Sequence, residues 1–363
     1  VVRRFGVPAV VGSLGAGLLL GPAALALIPS AAADPTGRAL IEEVAHIGLC
    51  VLLFEIGLKT RFENFRPVWR QAATLSVAGM VLSFLLAGAT ATLFGWPAIA
   101  AVFAGATLTA TSLSITASVL NELKLDDRRE GTTAFGAAVL DNVLAMLLLA
   151  ALMAVVTPGA VVAVQLTRSI AQAAAFIAAG IFLGPFLVQG AIRFCRWVKS
   201  DTMLLIMAFS YLLMLSHAAT IAGLAMITGA YAAGLAFARH PEREQLARQL
   251  QPFTELLTPL FFVLVGASIE WGEFHLPSAG ALLLVTILAK LLAPLGLRHA
   301  GLSRWLLGSA MITRGGIGFV FAQLGLKHGV FSPAQFSAVA LVLTGTTILG
   351  PVLLRIAHAY GRG

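Results

Sequence analysis

The chain has 363 residues, 59% of them hydrophobic and 11% charged, with a mean hydropathy of +0.93. Soluble domains run nearer half apolar and a quarter charged, so lipid is the solvent this composition fits; a soluble enzyme, a nucleic-acid-binding domain and a disulfide scaffold are excluded. The net charge of +8 and pI of 10.2 then read as the Lys and Arg excess that keeps membrane-protein loops inside the cell. A membrane crossing needs ~20 apolar residues. In chain order, hydrophobic segments are expected over residues 7–28, 38–58, 70–94, 97–120, 131–156, 169–195, 201–217, 219–238, 253–270, 277–297, 303–326 and 334–356. The connections are short and leave no room for a separate soluble domain.

The basic residues test this order. With loops assigned alternately to the two sides, nineteen of the 24 Lys and Arg fall on one side. Only Arg38, Arg168 and Lys327 fall on the other, and Lys290 and Arg314 lie inside segments. One wrong segment would scramble the alternation, so the asymmetry supports twelve crossings and places the C-terminus in the cytoplasm. The opening Val1-Val-Arg-Arg4 reads as the end of a preceding helix. Cys50 and Cys195 lie in apolar runs and are expected to be buried free thiols.

Two segments echo each other. Segment 97–120 is interrupted at Thr107-Leu-Thr-Ala-Thr-Ser-Leu-Ser114, and segment 303–326 at Thr313-Arg-Gly-Gly-Ile-Gly318. They are the fourth and eleventh segments, which inserts them with opposite orientations. Two discontinuous helices in corresponding halves predict an inverted-repeat transporter with its site near the bilayer midplane, where Thr and Ser hydroxyls satisfy backbone groups exposed by the break. Ordinary small-residue packing is the alternative reading.

Ionisable groups at bilayer depth are costly and mark function. Asp141, in Gly136-Ala-Ala-Val-Leu-Asp-Asn142, lies about ten residues, or ~15 Å, into its segment. Lys290 stands eight residues before Arg298, ~12 Å from the same side. An Asp–Lys pair at that depth would neutralise both. Arg314 occupies the second interruption, where the C-terminal ends of half-helices favour a cation; with Gly315 and Gly316 it is read as a structural element of the crossing. Glu42, Glu43, His46, Glu55 and Glu255 have interfacial or packing roles, and His217 begins a short loop. No phosphate-binding loop, metal-spaced His/Cys cluster or Ser–His–Asp arrangement is present in the sequence, and no cofactor is expected.

Several stretches resemble one family: Arg3-Arg-Phe-Gly-Val-Pro8 through Gly21-Pro22, Leu53-Phe-Glu-Ile-Gly-Leu58, Thr109 through Leu123, Gly136 through Leu144, and Pro259-Leu-Phe-Phe-Val-Leu-Val-Gly266. In this succession the chain resembles the monovalent cation:proton antiporter-2 family, the Kef-type and bacterial sodium–proton exchangers. The resemblance implies thirteen helices, an inverted-repeat core rocking against a dimerisation domain, a homodimer and a bacterial inner-membrane location. Kef-type relatives often add a cytoplasmic nucleotide-binding domain, whereas this chain stops just after its last helix. Two positions depart from the pattern. The family's ion-binding carboxylate position holds Asn142, with Asp141 at the preceding position that pairs with a lysine, matched by Lys290. The usual Arg-Gly-Glu of the second broken helix is Arg314-Gly315-Gly316.

The expected function is therefore exchange of a monovalent cation, sodium or potassium, for protons by alternating access. Asp141 carries the site, Asn142 adds an amide carbonyl, and Thr109, Thr111 and Ser112 add oxygens. Lys290 pairs with Asp141 when the site is empty, and an arriving cation displaces it. With Asp141, Lys290 and Arg314 all ionised the site sums to +1, so a carrier for anions or small organic acids, or an uncoupled relative, stays open at this point.

Overall fold

The computed structural model describes residues 9–21, 24–25, 27–28, 35–59, 68–125, 128–156, 162–198, 201–222, 224–267, 276–297 and 302–360. The opening residues, on which the expectation of a preceding helix rests, lie outside this set. The described residues contain no strand. In chain order the helices are α1 (Ala9–Leu20), α2 (Pro35–Lys59), α3 (Trp69–Leu93), α4 (Ala98–Thr107), α5 (Leu113–Glu122), α6 (Arg129–Val156), α7 (Val162–Phe182), α8 (Gly184–Val198), α9 (Asp201–Ile221), α10 (Met226–Phe237), α11 (Arg243–Ala267), α12 (Leu276–Leu292), α13 (Arg304–Ala310), α14 (Gly316–Lys327) and α15 (Pro333–Tyr360), with a 3-10 turn at Ala293–Gly296 after α12.

Each predicted segment coincides with one helix or with an interrupted pair. Segment 97–120 is α4 and α5, broken at 108–112, and segment 303–326 is α13 and α14, broken at 311–315. Segment 169–195 is also interrupted: α7 and α8 meet at a 46° bend, where Pro185 brings no amide hydrogen. Six helices among the described residues are long and apolar enough to cross a bilayer unaided, and the bent pair makes a seventh. The others are short (α1, α10), interrupted, or, like α2, charged by Glu42, Glu43 and Glu55.

Two boundaries differ from expectation. His217 does not begin a loop, because α9 continues to Ile221; Ala218-Ala-Thr-Ile221 contains nothing that stops a helix. The helix expected from residue 253 starts at Arg243 and runs through Pro252 and Pro259. Its polar first turns continue the apolar part, and Gln251 donates to Glu255 one turn on, at 3.0 Å.

The chain divides into two units. The first comprises residues 1–30, 62–145 and 265–363, and the second residues 31–61 and 146–264; α6 and α11 each contribute to both. In the first, α3 packs along α4 and α12, while α15 packs against α12, α13 and α14. A run of 25 residues gives α3 a length of ~37 Å, and it stops at Phe94-Gly95, where Gly95 takes φ +77°. Ala72, Leu75, Leu120, Ala134, Leu307, Met311 and Leu354 form one apolar core in this unit. The second unit is built around α10, whose residues Ile227–Phe237 are all buried. It lies against α2, α7, α8 and α9. Gly57 and Gly234 let α2 and α10 touch at backbone distance, and Phe237 packs its ring against Phe54 and Tyr211 with centroids 5.8 and 5.9 Å away. Cys50 is buried here, and both it and Cys195 are free thiols.

Candidate ion-exchange site

The two interruptions of the first unit cross. The amide of Ser112 donates to the carbonyl of Thr313 at 2.8 Å. The Thr116 hydroxyl donates to the Ala310 carbonyl at 2.9 Å and meets the Thr313 hydroxyl at 2.7 Å. Breaking two helices mid-span exposes backbone donors and acceptors that hydrocarbon cannot satisfy. Each break therefore supplies partners to the other, and Thr and Ser are the residues small and polar enough to do this.

Arg314 completes that accounting. Its Nη1 donates to the carbonyls of Thr109 and Ala110, both at 3.0 Å, beyond the end of α4, where carbonyls lack helical partners and a cation is favoured. Thr347 on α15 donates to the Arg314 carbonyl at 2.9 Å. The Arg314 side chain is 0% exposed, and its Nε and Nη2 have no partner among the described residues. Gly315 belongs to the same contact, since a Cβ there would stand 2.6 Å from the Ser112 hydroxyl oxygen. Gly316 opens α14.

Asp141 projects from α6 beside this crossing and is 0% exposed. Its Oδ1 accepts from the Ser76 hydroxyl at 2.5 Å. Its Oδ2 accepts from the Thr111 hydroxyl at 2.6 Å and from the Lys290 ammonium at 3.1 Å. Lys290 is also 0% exposed, so the pair is fully desolvated. Breaking such a pair by removing one partner costs roughly 3–5 kcal/mol. α3 delivers Ser76, the first break Thr111, α6 Asp141 and α12 Lys290. Among the described residues no other salt bridge in the first unit is buried on both sides; Arg355–Glu122, at 2.8 Å, is exposed.

The residues named from sequence therefore separate into two groups. Asp141, Lys290 and Thr111 meet. Thr111 also reaches the Met311 carbonyl of the opposing break, at 3.2 Å. Thr109 and Ser112 turn their hydroxyls to their own half-helices instead: the Thr109 hydroxyl donates to the Ala106 carbonyl at 2.7 Å, and the Ser112 hydroxyl accepts from the Ile115 amide at 3.4 Å. Asn142 is 1% exposed, and its amide nitrogen has no partner among the described residues. Ser76 was not anticipated. It is a small polar residue in a long apolar helix, with no local spacing to distinguish it from Ser83. Glu43 pairs with His46, and Glu55 with Lys59, along α2.

A buried carboxylate held by hydroxyls and a lysine, beside two crossed half-helices, is the architecture of an ion-coupled secondary transporter. The family profile described as "Sodium/hydrogen exchanger, transmembrane" matches residues 1–357, and the chain belongs to that family, within the monovalent cation:proton antiporters. It is 32% identical to the high-affinity Na+/H+ antiporter NhaS3 of Synechocystis sp., over 98% of this chain and 85% of the relative. It is 29% identical to the Na+/H+-K+ antiporter GerN of Bacillus cereus, over 97% and 90%. The glutathione-regulated potassium-efflux protein KefC of Klebsiella pneumoniae matches at 31% over 98% of this chain and 58% of its own length. The sodium proton antiporter MjNhaP1 from Methanocaldococcus jannaschii shares the fold, with a TM-score of 0.74 over 99% of this chain and 92% of that one, at 16% identity.

Proposed function

We propose that this chain exchanges sodium or potassium for protons, and that Asp141 alone carries the transported charge. The observation that carries the proposal is the fully buried Asp141 carboxylate, held at once by Ser76, Thr111 and Lys290. An empty site is neutralised internally by the Lys290 ammonium. A dehydrated monovalent cation arriving at Asp141 finds carboxylate, hydroxyl and carbonyl oxygens and takes the place of the ammonium. Lys290, left buried without its counter-charge, gives up a proton to water, because an isolated buried charge is strongly disfavoured. Cation and proton then compete for one position, and that competition is the coupling. Asn142 supports the reading as a neutral oxygen ligand: its amide nitrogen has no partner among the described residues, so turning its carbonyl toward a cation would break no hydrogen bond of that nitrogen. The crossed half-helices, fastened by Arg314, carry the site between the two sides.

The discriminating measurement is proton flux in proteoliposomes with an imposed pH gradient and added sodium, potassium or lithium. Cation-dependent collapse of the gradient supports antiport. Indifference to every cation, with a response to anions, would move the anion carrier ahead of the antiporter; the relatives give that alternative no support. We further propose a homodimer in the bacterial plasma membrane with twelve crossings in this chain and a cytoplasmic C-terminus, the last resting on the asymmetry of basic residues. Light scattering in detergent and a C-terminal reporter fusion test these directly.

Ser76 gives a graded test of the same site. A hydrogen bond to a charged group contributes roughly 1.5–3 kcal/mol, so Ser76→Ala is expected to raise the KM for the cation about tenfold with the protein still folded. Flux measured against cation concentration checks it; an unchanged KM would mean that Ser76 is a bystander.

A further inference from the structure

When a cation takes Asp141, the Lys290 amine needs somewhere to go. The structure shows what surrounds it. α3 and α12 run antiparallel in a register fixed by two contacts: the Thr74 methyl lies beside Gly296, and Gly79 lies beside Lys290 and Ala293. A Cβ at position 79 would stand 3.1 Å from the Lys290 Nζ and 3.2 Å from its Cδ. The absence of a side chain there leaves a slot in which the lysine lies. Continuing the register by one helical turn brings Ser83 on α3 level with Thr286 on α12. Ser83 lies one turn from Gly79, and Thr286 one turn from Lys290, so each shares a face with its neighbour in the slot.

Both hydroxyls are buried and, among the described residues, unsatisfied, a state they share with those of Thr107, Ser216, Thr254 and Thr258. Ser83 and Thr286 are each 0% exposed, and neither oxygen has a partner among the described residues. Helical threonines ordinarily satisfy themselves by bonding back to the carbonyl one turn earlier, as Thr90, Thr133 and Thr344 do here. Thr286 does not. Buried polar groups left unpaired cost stability and call for an explanation. The direction of the lysine side chain supplies one, because long side chains on a helix lean toward its N-terminus, and on α12 that is toward Thr286. One turn is ~5.4 Å, within the swing of a four-carbon stem.

We propose that Ser83 and Thr286 form the receiving position for the Lys290 amine, occupied when a cation holds Asp141 and vacant when Lys290 pairs with Asp141. The inference rests on the assignment of Asp141 as the cation site. The lysine slides along the Gly79 slot from the carboxylate to the two hydroxyls, which can donate to a neutral amine or accept from a charged one. The two positions make the exchange two-state. Ser76 and Thr111 hold the carboxylate in place, while Ser83 and Thr286 stabilise the departed lysine. These are positioning residues, acting through Lys290.

The test uses the full chain carrying Ser83→Ala with Thr286→Val. Cation affinity is read from the concentration dependence of the thermal shift with sodium and with potassium, and stability from the melt without either ion. Losing the receiving position should weaken cation affinity about tenfold, the equivalent of one hydrogen-bonded group. The ion-free protein should melt at the same temperature or higher, because the removed hydroxyls are unpaired in that state. In a Lys290→Ala background the double substitution should leave affinity unchanged. Unchanged affinity in the lysine-containing protein overturns the proposal. So does a parallel loss of ion-free stability, which marks ordinary packing, or an equal loss of affinity without the lysine, which marks direct contact with the cation. Asp141→Asn separates the levels: if it binds cations as tightly as the parent, the Asp141 assignment itself fails. If it abolishes binding while the hydroxyl pair proves inert, only the receiving position fails.

Discussion

Replacing Asp141 by Asn is expected to lower cation-driven proton flux by at least about a hundredfold, the factor corresponding to a roughly 3–5 kcal/mol loss at a buried pair. The substitution preserves volume but removes the carboxylate that bonds to Lys290, Thr111 and Ser76. The cation loses its charged ligand, and Lys290 is left buried without a counter-charge. That second effect also destabilises the fold, so loss of flux alone is ambiguous. Combining Asp141→Asn with Lys290→Met removes both charges, and neutral replacement of a buried pair is often tolerated. The double variant should regain much of the melting temperature lost by the single one and still show no exchange. Proteoliposome flux and a detergent melt, run on both proteins, check the two halves separately. Substantial flux in either variant would sink the proposed mechanism.

The second large effect concerns folding in the other unit. Gly234→Ala should destabilise the protein by about 1–3 kcal/mol, the usual range for overpacking a close contact. A Cβ at Gly234 would stand 2.1 Å from the Phe54 carbonyl oxygen and 2.8 Å from the Leu58 amide. Both are backbone atoms and cannot rotate away. A Cβ at Gly57 would likewise stand 2.4 Å from the Tyr231 carbonyl oxygen, so there is no slack on the α2 side and α2 and α10 would have to move apart. Gly190→Ala is the control. Its Cβ on α8 meets nothing within 4 Å, and alanine favours a helix over glycine by roughly 1 kcal/mol, so that variant should melt at the parent temperature or above. A melt of Gly234→Ala that matches the parent would mean that α2 and α10 tolerate separation.

The extent to which the sequence anticipates this structure follows from the range of the forces involved. Hydrophobic runs, the two interruptions and the buried charges are local properties, and each coincides with helices, breaks and the Asp141–Lys290 pair. The interruption at Thr107–Ser114 showed that hydroxyls gather there, but not which one reaches the carboxylate. Thr111 reaches Asp141 and the Met311 carbonyl of the opposing break, while the hydroxyls of Thr109 and Ser112 bond within their own half-helices. Ser76 and Ser83 are alike in sequence, and only the packing of α3 against its neighbours gives one a carboxylate and leaves the other buried without a partner among the described residues. The bend between α7 and α8 falls at Leu183, beside Gly184-Pro185, in a run that the hydrophobic pattern alone presents as one segment, 169–195. The early start of α11 was hidden because the stretch 243–251 is mostly polar and Pro252 looks like a boundary, yet the helix runs through it.

The buried trio of Asp141, Lys290 and Arg314 has an electrical consequence. Arg314 is fastened to the Thr109 and Ala110 carbonyls and contributes a constant positive charge throughout the proposed cycle. With Lys290 protonated against Asp141 the trio carries one net positive charge. With a monovalent cation on Asp141 and Lys290 neutral, it carries the same. The moving element would then cross the membrane with identical charge in both directions, and turnover would generate no current. Recordings on supported membranes should show sodium- or potassium-dependent proton movement without a sustained electrical signal. Membrane voltage, worth ~2.3 kcal/mol per charge per 100 mV to a current-carrying transporter, would neither drive nor oppose this one. The direction of exchange would be set by the two concentration ratios alone.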